Sequence, residues 1–309
     1  MIRRPPRSTL DRSSAASDVY KRQVVIHNKN SRGKKLSRLD LQKIFDKNQL
    51  NCDIYQTKQS KEVEVIIKKY IDDEVIFCAV GGDGTLSNLI DVLLKNNIAN
   101  PEVACLPSGS GSDFMRTFAF PKTINEGVER LKTNQDYKID VAYIKSENKS
   151  RHFVNVLNFG FLADTVKTSE ALPRVFKRFR YPISFWIKLL PAKSDIFEIS
   201  NDSYEFRDIA FNISICNGQY FGGGWNISPK SSLQDGLLNT QIFKVTKTKA
   251  MKLFFLAKKG LHLTDPDVIL KRMNKISLKS RSPIEVDGDY FDNGPAEIIV
   301  KKQAILLKI

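Results

Sequence analysis

Several kinds of chemistry lack their raw material in this chain. Three histidines in 309 residues rule out a histidine-rich metal site and make a histidine-based triad a poor fit. The four cysteines, Cys52, Cys78, Cys105 and Cys216, are scattered. Their spacing matches neither a thiolate metal site nor a disulfide framework. Three of them lie in apolar, strand-like runs and read as reduced core residues of a cytosolic protein. No apolar run reaches the roughly 20 residues that a bilayer-spanning helix needs, so the chain is expected to be soluble or to lie on a membrane surface. Acids are also in short supply, 34 against 49 basic residues for a net charge of +15. That balance favours an anionic partner: nucleic acid, anionic lipid or a nucleotide. Aromatic residues follow no nucleic-acid module and no DNA-binding motif is present, so nucleic acid is not expected.

Residues 1–22 show neither helical nor strand periodicity. The stretch is basic and rich in Ser and Arg but has no apolar core of a secretory signal. It resembles translated sequencing-adapter read-through, is set aside from the fold, and is expected to be disordered. Six basic residues against two acids give it +4, and the rest of the chain keeps +11.

What is present is organised around Val75-Ile76-Phe77-Cys78-Ala79-Val80 running into Gly81-Gly82-Asp83-Gly84-Thr85. Six apolar residues read as a buried parallel strand, and the apolar spacing after Thr85 as a helix. A glycine-rich turn between strand and helix offers main-chain N–H groups to an anion. It is not a P-loop, since no Gly-Lys-Ser/Thr follows, and it lacks the dinucleotide glycine spacing. A plain structural turn would explain the glycines, but not an aspartate between them, because a buried carboxylate needs a cation or donors. A second strand, Val103-Ala104-Cys105-Leu106, ends in Pro107-Ser108-Gly109-Ser110-Gly111-Ser112-Asp113. Ligands of open α/β sheets sit beyond the carboxyl ends of strands, so the two loops are expected to converge. Asp113 also suits a helix cap.

These two loops resemble the diacylglycerol kinase catalytic domain, in its bacterial soluble lipid kinase branch, which is related to sphingosine kinases and more distantly to NAD kinases. The resemblance continues through Asn155-Val156-Leu157-Asn158-Phe159-Gly160-Phe161 with Asp164 and through Asn217-Gly218-Gln219-Tyr220-Phe221-Gly222-Gly223-Gly224. It then takes in Ser228-Pro229, Asp235-Gly236-Leu237-Leu238 and Val286-Asp287-Gly288-Asp289. It implies an ATP- and Mg2+-dependent kinase that phosphorylates a hydroxyl of diacylglycerol or a related lipid. Asn28, Ser31, Thr57, Gly81, Gly82, Asp83, Gly84, Thr85, Ser87 and Ser110 would contact the nucleotide. Asp83, Asp113 and Asp140 would hold a metal-linked water network. Ser232, Asp235 and Leu237 would hold a structural Mg2+. Asp289, with Asp287 beside it, would take the hydroxyl proton, although Asp-Gly is also a common hairpin turn. The chain departs from the family pattern at Lys29, where proline is usual, at Leu86-Ser87-Asn88, usually Leu-Asn-Glu, at Ser112, usually Asn, and at Asp289, usually Glu.

Strands alternate with helices over residues 23–144, and strand follows strand over 145–295. The expected architecture is α/β plus all-β. A Rossmann-like parallel α/β domain is followed by a β-sandwich domain, with the active site in the cleft between them. Residues 296–309 would return towards the first domain. Two acid-free stretches, residues 172–193 and 244–263, mix Lys and Arg with Phe, Tyr and Trp. Such a mixture suits an anionic membrane surface, and equally a packing helix with a solvated basic face. The expected setting is cytoplasmic, peripheral on the inner face of the membrane, with homodimerisation left open. An NAD kinase fits less well, given the triple glycine and the basic aromatic stretches. A nucleotide-responsive membrane-binding protein with little turnover is the alternative outside enzymology.

Overall fold

The computed structural model describes residues 21–29, 36–108, 113–118, 123–133 and 135–308. The leader expected over residues 1–22 lies outside them except for its last two positions. Arg22 already belongs to the first strand and pairs with Asp53.

The first half comprises β1 (Arg22–Asn28), α1 (Arg38–Lys47), β2 (Cys52–Thr57), α2 (Ser60–Ile67), β3 (Val75–Gly81), α3 (Asp83–Lys95), β4 (Glu102–Pro107), α4 (Asp113–Thr117), α5 (Ile124–Arg130) and β5 (Asp136–Ser146). Strands run parallel in the order β2-β1-β3-β4. Side chains alternate across the sheet. Val24, Ile26, Phe77 and Ala79 pack under α2 and α3, and Val25, Ile76, Cys78 and Val80 under α1 and α5. Each such fully buried Val, Ile or Phe stabilises the fold by about 1.5–3 kcal/mol before entropy is counted. Helix α1 starts on a reciprocal cap: the Ser37 hydroxyl accepts from Asp40 N–H, and the Asp40 carboxylate accepts from Ser37 N–H.

The second half comprises β6 (Ser150–Phe153), β7 (Val156–Gly160), α6 (Phe161–Ala171), α7 (Arg180–Leu189), β8 (Asp195–Ser200), β9 (Glu205–Ala210), β10 (Asn212–Cys216), β11 (Leu238–Phe243), α8 (Lys247–Ala257), β12 (Val268–Met273), β13 (Lys275–Lys279), β14 (Pro283–Val286), β15 (Asp289–Asn293) and β16 (Ala296–Lys308). One sheet has the order β12-β11-β10-β7-β14-β15, with antiparallel neighbours. It faces β5, β6, β8, β9, β13 and the first half of β16 across a core of Leu157, Phe159, Phe197, Ile213, Ile215 and Ile284. The architecture is a parallel α/β domain followed by an antiparallel β-sandwich. Strand β16 pairs with β13 at one end and, past an irregularity after Lys301, runs parallel to β4 at the other, so one sheet passes through both halves.

Two stretches that read as single strands each divide between the two sheets. Residues 152–158 become β6 and β7, and residues 208–216 become β9 and β10. At the second crossing Phe211 N–H donates to Phe243 O at 2.8 Å. A run buried on both faces carries no alternation to mark such a crossing. The outer face of the β7-bearing sheet is covered by α6, α7 and α8 through Phe161, Leu162, Phe185, Leu189 and Leu253.

Candidate active site

The glycine turn ends β3 and opens α3. A Cβ on Gly81 would lie 2.3 Å from Thr85 Oγ1, so only glycine lets Thr85 fold back there. Among the described residues a Cβ on Gly82 or Gly84 would meet nothing within 4 Å, and no side chain caps α3 at Gly82. The positive end of a 13-residue helix is thus presented at the carboxyl edge of the sheet. Asn28, at the end of β1, donates to Thr85 Oγ1 at 3.4 Å, and Thr57 is buried at the end of β2. Ser31 and Ser110 lie outside the described residues.

Asp83 joins the two loops. Its Oδ2 accepts from Asp113 N–H at 2.8 Å and its Oδ1 from Phe114 N–H at 3.1 Å. Asp113 Oδ2 in turn accepts from Gly223 N–H at 2.8 Å, so the triple glycine of the second half reaches the first. Among the described residues no hydrogen-bond partner reaches the buried Asp113 Oδ1, which lies 3.9 Å from Arg116 Nε. Burial raises the Asp113 carboxyl above its ordinary range, with Asp83 adding to the shift and Gly223 N–H opposing it.

The hairpin between β14 and β15 carries the other carboxylates. Asp287 has φ 50°. Its Oδ1 accepts from Asn155 and Val156 N–H at 3.0 and 3.1 Å, and its Oδ2 from Val154 N–H at 3.1 Å and Ser87 Oγ at 2.7 Å. Four donors occupy the roughly four lone-pair sites of a carboxylate. Burial raises its proton affinity, opposed first by nearby Arg151. Asp289 points elsewhere: its side chain is 62% exposed and pairs with Arg151 at 3.3 Å.

Glu285 was not among the residues singled out from sequence. It lies on β14 between Ile284 and Val286, which point into the sandwich core, so its own side chain faces the helix-covered side. It is buried and accepts from Asn158 Nδ2 at 2.6 Å and from Gly288 N–H. Burial pushes its carboxyl up to about 7 against those two hydrogen bonds, with Asp287 and Asp289 adding to the shift. The available signal was a carboxylate inside an apolar strand, Ile284-Glu285-Val286.

Asp83, Asp113, Asn155, Asn158, Glu285 and Asp287 line one cleft of about 680 Å³ between the halves. Its far wall is apolar, with Leu162, Val166, Phe185, Trp186, Phe254 and Phe255. Leu162, Phe185, Phe221 and Phe254 also line a second cavity of about 50 Å³ under α8.

Other expected site residues sit apart. Ser87 is fully buried and bonded to Asp287, which ties α3 to the hairpin. Asp140 is buried away from the cleft lining and accepts from Gly236 N–H at 2.6 Å and Gln303 N–H at 2.8 Å. Ser232, Asp235 and Leu237 do not fit a structural cation. Asp235 Oδ1 accepts from Leu237 N–H at 2.9 Å, and its Oδ2 pairs with Arg272 Nη2 at 2.6 Å. A guanidinium thus stands where the resemblance implies Mg2+. Among the described residues no group of three or more His, Cys, Asp or Glu could hold a metal.

The chain matches two family models: the diacylglycerol kinase catalytic domain over residues 22–144, and the YegS C-terminal NAD kinase β-sandwich-like domain over residues 155–308. The chain belongs to the diacylglycerol kinase catalytic domain family, in its bacterial lipid kinase branch. A diacylglycerol kinase of Staphylococcus carnosus is 25% identical over 93% of this chain and 94% of its own length. A probable lipid kinase, YegS-like, of an Enterobacter species is 28% identical over 53% of this chain and 55% of its own. The fold is that of a solved diacylglycerol kinase from Bacillus anthracis, with a TM-score of 0.68, 18% identity and coverage of 94% of this chain and 97% of that one.

Proposed function

We propose that this chain transfers the γ-phosphoryl group of ATP to a hydroxyl of diacylglycerol or a closely related lipid at a membrane surface. The observation that carries the reading is the shared cleft: aspartates of the glycine-loop domain on one side, carboxylates of the β14–β15 hairpin on the other, and an apolar wall between them.

Phosphoryl transfer asks a protein mainly for alignment and charge stabilisation. The α3 N-terminus and the side-chain-free backbone at Gly82 and Gly84 suit the nucleotide phosphates. Asp83 and Asp113 are the residues that would hold a nucleotide-bound Mg2+ through water, and Asp113 Oδ1, which has no hydrogen-bond partner among the described residues, suits that task. Such an ion supplies charge neutralisation at the phosphates. A carboxylate of the hairpin that lines the cleft would take the proton of the acceptor hydroxyl. Leu162, Val166, Phe185 and Phe254 suit the glyceride acyl chains.

The rim of that apolar wall is exposed: Trp186 is 56%, Phe255 63% and Leu190 82% accessible. Lys188, Lys247 and Lys252 lie on the same two helices, α7 and α8. Aromatics and cations at the mouth of a lipid cleft support peripheral docking on an anionic leaflet. Among the described residues no helix is long and apolar enough to cross a membrane.

Label transfer from γ-labelled ATP to a panel holding diacylglycerol, monoacylglycerol, sphingosine and NAD tests the reading. Label in a glyceride is expected. Label in NAD alone, or in no acceptor, would overturn it.

A further inference from the structure

The carboxylate that takes the proton can be named, on the kinase reading above. We propose that Glu285, not Asp289, accepts the proton of the attacking hydroxyl, and that Asn158 and Ser214 hold it in position.

The hairpin carries four carboxylates; Asp292 accepts from Ser146 Oγ away from the cleft lining, and the surroundings of the other three separate them. Asp287 has its lone pairs taken by Val154, Asn155, Val156 and Ser87, so it shapes the turn. Asp289 is absent from the cleft lining, is largely exposed and pairs with Arg151. Glu285 lines the cleft and is buried, and among the described residues two donors reach it, Asn158 Nδ2 and Gly288 N–H. A carboxylate can accept about four hydrogen bonds, so lone pairs remain for a substrate hydroxyl.

The support for Glu285 is laid across three neighbouring strands. Glu285 on β14 lies opposite Asn158 on β7, which lies opposite Ser214 on β10. Ser214 Oγ donates to Asn158 Oδ1 at 2.6 Å, which turns the Asn158 amide N–H towards Glu285. Asn212 Nδ2 donates to Ser214 Oγ at 3.1 Å and completes the row. This polar row sits on a sheet face that is otherwise packed by Phe161, Phe185 and Leu253. Burying a carboxylate on such a face is costly without a return. A buried acid whose proton affinity is matched to neutral pH is the usual form of a catalytic base. The ionisable groups coupled to it are Asp287 and Asp289 on its own hairpin, Tyr181 of α7 and Cys216 of β10.

In the step itself, the acceptor O–H bond breaks and its proton passes to a Glu285 oxygen. The freed electron pair forms the bond to the γ-phosphorus. The bond from that phosphorus to the β–γ bridging oxygen breaks, and its pair leaves with ADP.

The test uses the purified full chain, ATP and diacylglycerol in phosphatidylglycerol vesicles, with initial rates taken across the neutral range. Glu285→Gln is expected to lower transfer by about 10²- to 10⁴-fold while ATP binding and the melting temperature hold. Asp289→Asn should lose far less transfer than Glu285→Gln. The wild-type rate should rise with pH through a midpoint near 7, a limb that Glu285→Gln removes. Ser214→Ala keeps the carboxylate but leaves Asn158 Oδ1 only the longer bond from Asn212 Nδ2 at 3.4 Å, which loosens the Asn158 donor, so the same midpoint should move to higher pH; this readout stands in if Glu285→Gln does not fold. Wild-type transfer in Glu285→Gln, an unmoved midpoint in Ser214→Ala, or loss confined to Asp289→Asn would overturn the assignment and leave the kinase reading standing. No transfer by the wild type to any hydroxyl would remove both.

Discussion

Replacing Asp287 with alanine tests whether the hairpin is held by hydrogen bonds to its carboxylate. The substitution strips the acceptor from three main-chain N–H groups, those of Val154, Asn155 and Val156. Each unsatisfied donor costs roughly 1–3 kcal/mol. Asp287 borders the cleft, where water can reach, so the low end applies and the three come to about 3 kcal/mol. The Ser87 hydroxyl can turn to another acceptor and adds little. The left-handed φ of 50° costs alanine roughly 1 kcal/mol more. The total is about 4 kcal/mol, a large part of the 5–15 kcal/mol that keeps an ordinary domain folded. A melting shift of roughly 8–16 °C follows for a domain of this size. Asp287→Asn tolerates the same φ and keeps one oxygen for Asn155 and Val156, so it should lose only about 1 kcal/mol. Urea denaturation followed by Trp fluorescence and circular dichroism measures both. Equal losses in the two variants, or a loss below about 1 kcal/mol in Asp287→Ala, would refute the reasoning.

Burial depresses the His262 imidazole to about 4, and its Nε2 meets Gln241 Oε1 at 3.0 Å. The unfolded chain therefore binds the proton first. The stability tied to neutral His262 is complete above pH 6.5 and is lost as pH falls from there to about 4, at most about 3 kcal/mol. His262→Gln should flatten that part of the stability profile, which urea midpoints at stepped pH will show. Trp186→Ser with Phe255→Ser should cut co-sedimentation with phosphatidylglycerol vesicles about tenfold or more and leave ATP binding unchanged; unchanged sedimentation would place the docking surface elsewhere. Since Arg272 pairs with Asp235, a chelator should leave the melting temperature of the nucleotide-free protein in place, whereas Arg272→Ala should lower it by up to about 2–4 °C.

The layout of the halves was legible because it rests on contrast. The all-apolar run before Gly81 could be little but a buried parallel strand, and the dense strands after residue 144 little but a sandwich. Helix α6 was hidden. It begins straight after Gly160 at φ 93°, and its first residues read as the end of a motif instead of the start of an amphipathic face. The strand crossings at 154–155 and 211 were hidden too, because both faces of those runs are buried. In the site, the glycine turn and its aspartate were visible from residue type alone. Ser87 and Asp140 were placed by resemblance, and their hydrogen bonds to Asp287 and to Gly236 and Gln303 could not be read from spacing. Glu285 was passed over because the neighbouring Asp287-Gly288-Asp289 carried the more familiar pattern. Which of the hairpin's four carboxylates meets the cleft with lone pairs to spare is decided by strand alternation, by the donors around Asp287 and by the ion pair of Asp289 with Arg151, all three-dimensional facts.

The most direct measurement is the stoichiometry of the reaction. Purified chain, ATP, Mg2+ and diacylglycerol vesicles should yield one ADP for each phosphorylated lipid, the lipid product being identified by mass spectrometry. ADP released without a phosphorylated lipid, or no ADP at all with ATP bound, would contradict the account.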